Sequence, residues 1–65
     1  MDPNATLQQM CDAWRTYDDE TARERAWDLR EWYARGGFRA SRLYGKPIAP
    51  GRTHAWIDMV LRDCN

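Results

Sequence analysis

Apolar residues recur every three or four positions in three stretches of this chain, the spacing of one face of an α-helix. In the first, Leu7, Met10, Cys11, Trp14 and Tyr17 fall within an arc of roughly 120°, at about 100° per residue. Gln8, Gln9, Asp12 and Arg15 lie opposite. Asn4 has the side-chain oxygen a helix start needs, and Asp2 stands at the favourable end of the dipole. The spacing predicts a helix over about 5–17.

Asp18-Asp19-Glu20 then interrupts the pattern. Three acids are unfavourable at a helix C-terminus and favourable at an N-terminus, so a short turn and a second start capped by Asp18 or Asp19 are expected. Ala22, Ala26, Leu29, Trp32 and Tyr33 share one side of that second helix. Glu31 and Arg35 form a favourable pair four residues apart, while Glu24 and Asp28 are like charges at the same spacing. Gly36-Gly37 ends the helix, and Phe38 stands where a Schellman-type contact packs back. The third helix is expected from a cap at Thr53 to about Asp63. Its apolar residues Trp56, Ile57, Met59, Val60, Leu61 and Cys64 span roughly 200°, wide enough to be buried on two sides or to face something outside the monomer.

Between them, Gly45, Pro47, Pro50 and Gly51 exclude a continuous helix. Residues 38–52 read as an ordered loop pinned by Phe38, Leu43, Tyr44 and Ile48, with a strand pair inside 38–50 as the marginal alternative. Two helices joined by a short turn run antiparallel, and the third must cover their shared stripe. The expected fold is all-α: a single domain of three helices, an antiparallel hairpin plus a C-terminal helix.

Composition narrows the function. A chain of 65 residues has a small core, and its four tryptophans offset that shortage. Ten basic and ten acidic side chains leave no net charge, which argues against a general polyanion binder. No run approaches the about 20 apolar residues of a membrane span, and the start has no basic, apolar leader pattern. A cytoplasmic location with no membrane association is expected, with Cys11 and Cys64 reduced. A Cys11–Cys64 bridge is the minor alternative.

The stretches Asp2-Pro3-Asn4-Ala5-Thr6-Leu7 and Trp32-Tyr33-Ala34-Arg35-Gly36-Gly37-Phe38 resemble a group of short bacterial, phage and metagenomic proteins with the same opening, an acidic turn and a helix ending in Gly-Gly-Phe. The resemblance covers about residues 2–38. It implies the helical hairpin and carries over no activity, cofactor or binding residue.

Reactive chemistry has few candidates. Cys11, His54, Asp63 and Cys64 are the one conceivable metal set, but the cysteines stand far apart and lack paired spacing, so no metal and no cofactor are expected. Cys11 with His54 is the one nucleophile–base pair. An apolar stripe would keep that thiol protonated, and the first turn of a helix disfavours a charged histidine. No catalytic residue is expected. Charge is distributed unevenly: residues 1–20 carry five acids against Arg15, a net of −4, and residues 36–54 carry Arg39, Arg42, Lys46 and Arg52 with no acid, a net of +4. Trp27 lies roughly 140° from Ala22 on the helical wheel, off the apolar stripe. It is covered by the loop or the third helix, with an arginine stacked on it, or it anchors a partner. The leading expectation is a non-catalytic module that binds a protein partner or its own copy through Trp27, Trp56 and Met59. The alternative is a nucleic-acid-associated accessory protein using Arg35, Arg39, Arg42, Lys46 and Arg52.

Overall fold

The computed structural model describes residues 1–63, so Cys64, with its place on the third helix and in any bridge, lies outside the described residues. The elements are α1 (Pro3–Arg15), α2 (Asp19–Ala34), β1 (Arg42–Leu43), β2 (Lys46–Pro47) and α3 (Arg52–Asp63). The molecule is mostly helical but not all-α, because β1 and β2 form a small antiparallel sheet.

α1 begins two residues earlier than the pattern suggested. Asp2, not Asn4, is the N-cap: its Oδ1 accepts from the amides of Asn4 at 3.0 Å and Ala5 at 3.4 Å. Pro3 occupies the first helical position, where its missing N–H costs nothing and its fixed φ suits the helix. α1 also stops early, at Arg15. Tyr17 therefore leaves the apolar stripe and is 90% exposed. Its φ is +61°, the left-handed region, where a β-carbon costs roughly 1–2 kcal/mol. The amide of Asp18 donates to Ala13 O at 2.9 Å and that of Tyr17 to Trp14 O at 3.3 Å, the two bonds of a Schellman corner. Asp18 then caps α2 through a 3.3 Å bond from the Thr21 amide.

The end of α2 has the expected form. Gly36 has φ +84°; its amide donates to Tyr33 O at 3.0 Å, and the Gly37 amide to Trp32 O at 2.9 Å. Phe38 packs edge-on against Trp32, with centroids 5.4 Å apart, and the Trp32 indole N–H donates to Phe38 O at 2.9 Å. A β-carbon at Gly37 would lie 2.3 Å from the Trp32 ring, so close approach is what requires glycine there. Arg25 pairs with Asp28 at 2.8 Å, but the expected Glu31–Arg35 pair does not form.

Residues 42–47 fold as a hairpin, with Arg42 opposite Pro47 and Leu43 opposite Lys46. Tyr44 (φ +52°) and Gly45 (φ +76°) form its two-residue loop, and positive φ at both positions is the signature of a type I′ turn. Asn4 keeps the hairpin on α1: its Oδ1 accepts from the amides of Ser41 at 2.8 Å and Arg42 at 3.1 Å. The approach to the hairpin is pinned by Ala40, which is buried and whose amide donates to the Tyr33 hydroxyl at 2.9 Å. Of the four residues expected to hold this segment, Leu43 and Ile48 pack against the core, whereas Phe38 and Tyr44 are exposed. α3 starts at Arg52, after Gly51 with φ +84°. Thr53 is therefore not a cap. It is buried inside the first turn, and its Oγ1 has no hydrogen-bond partner among the described residues.

Leu7, Met10, Ala13, Ala22, Ala26, Leu29, Ala40, Ile57, Val60 and Leu61 form the core. α3 packs chiefly on α2, and β1 packs on α1. Helices α1 and α3 thus flank the core without closing on each other along their outer edges.

Candidate functional site

The gap left between α1, the hairpin and α3 is an apolar cleft of about 220 Å³. Met10, Cys11 and Trp14 come from α1, Leu43 from β1, and Trp56, Met59 and Val60 from α3, with Arg15 and Tyr44 at its edge. The wide apolar stripe of α3 is thereby divided. Ile57, Val60 and Leu61 enter the core, while Trp56 and Met59 stay half-buried and face the cleft.

Charged groups adjoin the lining aromatics. The Arg52 guanidinium lies over the Trp56 ring, 5.8 Å from its centroid, and Arg15 lies over the Tyr44 ring at 5.8 Å. The Tyr44 hydroxyl donates to Asp12. That bond lifts the phenol above its ordinary pKa, burial adds to the shift, and Arg15 partly opposes it. Lys46 is paired with Leu43, and directly paired residues leave the same face of the sheet, but Lys46 is exposed and does not line the cleft. Within the cleft, burial raises the Cys11 thiol pKa; Asp12 reinforces this and Arg15 works against it. A thiol held protonated is a poor nucleophile.

Of the three residues expected to bind a partner, Trp56 and Met59 come together here. Trp27 does not line the cleft. It is 49% exposed on α2. Arg30 of its own helix stacks on it at 5.5 Å, and the same arginine reaches Asp58 of α3 at 3.4 Å. Trp56 and Met59 apart, sequence reasoning left the cleft residues out of the site, Trp14 and Leu43 among them. Trp14 read as core, and Leu43 could not be placed without the hairpin.

The basic residues differ in their local partners. Arg42 sits on the strand position paired with Pro47, where its side chain donates to Gly45 O at 3.0 Å, and Arg52 is engaged with Trp56. Arg35, Arg39 and Lys46 make no ion pair with the described residues, and all five are exposed. Backbone bonds to Asn4 and the Tyr44–Asp12 contact, not ion pairs, hold the basic segment on α1.

His54 and Cys11 occupy separate places. His54 lines a hollow with Arg30, Tyr33, Ala34, Ile57 and Asp58, its ring tilted against Tyr33 at 4.9 Å. Among the described residues no three potential metal ligands gather, and no helix is long and apolar enough to cross a membrane. No protein-family model, curated protein or solved structure matches the chain.

The two motifs behind the resemblance have structural tasks. Asp2 and Pro3 start α1, Asn4 ties down the hairpin, and Trp32 with Gly37 and Phe38 sets the exit from α2. None of them lines the cleft.

Proposed function

We propose that this protein is a non-catalytic interaction module whose working surface is the cleft between α1, the hairpin and α3. One observation carries the reading: Trp14, Leu43, Trp56 and Met59 line a space the monomer does not fill. An unfilled apolar cleft rimmed by polar groups is the form of a protein-binding site, and tryptophan and arginine are the residue types that dominate such sites. The protonated Cys11 thiol, remote from His54, favours binding over covalent chemistry.

The test places a photo-crosslinking residue at Met59 and, as a control, at exposed Glu24. The expected result is one discrete cross-linked protein species from position 59 alone, lost when Trp56→Ala is added. The same amount of product from both positions removes the cleft from the account.

The exposed arginines favour one second reading, a nucleic-acid-associated accessory protein using Arg35, Arg39, Arg42, Lys46 and Arg52. Five cations support only weak phosphate contact, which falls steeply with salt. Anisotropy with a single-stranded oligonucleotide at two salt concentrations decides it: no binding at low salt discards this reading.

A further inference from the structure

The cleft is matched by a second unusual feature of the same chain. Tyr17 holds the left-handed position that closes α1, although glycine fits there without strain, and its ring is 90% exposed. Strain kept at an exposed aromatic is a reason to look for a contact outside the monomer. The residues that follow it, Asp18, Asp19 and Glu20, are acids. The cleft has an apolar interior; Arg15 lines it, Arg52 lies over its Trp56 ring, and Lys46 is paired across the hairpin with its Leu43, so two further cations adjoin its lining residues, while Asp12 offsets Arg15. Its 220 Å³ is also of the right size, since a cavity of about 150 Å³ admits a benzene ring.

We infer that the occupant of the cleft is Tyr17 of a second copy of this chain, with Asp18-Asp19-Glu20 set against these cations. The contact is reciprocal. Tyr17 lines a hollow with Trp14, Arg15, Asp19 and Asp63, and that hollow shares Trp14 and Arg15 with the cleft. Ring and cleft are therefore adjacent parts of one surface. Two copies related by a two-fold axis can exchange tyrosines, and the assembly closes as a dimer instead of growing as a filament. The inference rests on the reading of the cleft as a protein-binding surface and names the partner.

Sedimentation equilibrium of the purified chain tests it, with Tyr17→Phe and Tyr17→Gly measured alongside. Glycine removes the ring and suits the left-handed backbone, so a loss of association in that variant is not a loss of fold. The expected result is a reversible dimer, kept by Tyr17→Phe, weakened about tenfold or more by Tyr17→Gly, and weaker at high salt. Mixing Tyr17→Gly with Met59→Lys, which places a charge in the cleft, should give a mixed dimer stronger than either variant forms alone, since one intact ring still meets one intact cleft. A strict monomer at about millimolar concentration, or a dimer indifferent to Tyr17→Gly, overturns the inference. In either case a different protein captured by the Met59 crosslinker preserves the broader reading, and equal capture from Glu24 removes both.

Discussion

The ends of α1 and α2 use one backbone device with different residues. Both close in a Schellman corner, with the same two hydrogen bonds and one residue in the left-handed region. At the end of α2 that residue is Gly36, which has no β-carbon to strain. At the end of α1 it is Tyr17, which does. The α2 corner continues into the chain's own packing, through Gly37, Trp32 and Phe38. The α1 corner instead projects an aromatic ring into solvent beside the cleft. The comparison sets an unstrained turn packed against its own chain beside a strained one whose side chain faces solvent.

The largest way to break the contrast is Gly37→Ala. The new methyl would overlap the Trp32 ring and displace the indole from Phe38 O, at about 2–3 kcal/mol of unfolding free energy. In a domain this small that is a large share of the total, and urea unfolding should show the midpoint collapse. Asn4→Ala probes the far anchor of the segment leaving that corner. Losing both bonds to Ser41 and Arg42 should cost about 1–2 kcal/mol and speed hydrogen exchange at those two amides. The corner residues themselves should respond with opposite signs. Gly36→Ala should destabilise by about 1 kcal/mol, whereas Tyr17→Gly, compared at concentrations where both proteins are monomeric, should stabilise by about 0.5–1 kcal/mol, because relief of strain exceeds the added entropy of an unfolded glycine. Equal signs in thermal melts would dissolve the contrast.

The smallest effect follows from pH. The folded-state pKa values of Cys11 and Tyr44 lie above their ordinary 9.0 and 10.0. Their contributions are therefore complete below those values and fade as pH rises through the higher folded ones. Stability should be flat from pH 7 to 8 and decline in the alkaline range, with Asp12→Asn reducing the Tyr44 part.

Much of the helical frame was legible in the sequence. Ala22, Ala26 and Leu29 sit at clean helical spacing, Asp18 is a strong cap, and Gly36-Gly37 before an aromatic is a strong stop. Two local readings went astray for definable reasons. Asn4 has cap chemistry, but Asp2 followed by Pro3 is the better start, and that leaves the Asn4 side-chain oxygen to accept hydrogen bonds from far along the chain. The hairpin stayed the marginal alternative within 38–50 because its turn is Tyr44-Gly45, where a bulky residue takes the position usually held by Asn or Gly. Without its register, Leu43 had no place and the cleft could not be foreseen. Trp56 and Met59 were visible as surplus on α3, while Trp27 and the cleft proved to be unconnected surfaces.

The Asn4 latch also orders the assembly of the molecule. It joins positions 37 and 38 residues apart, while the α1–α2 corner needs only neighbours in the chain. Loop-closure entropy favours the nearby contacts, so the helical pair is the early unit and the β-hairpin docks late. Native-state exchange should then find the hairpin opening as a separate, weaker cooperative unit, and each such excursion takes away the Leu43 wall of the cleft.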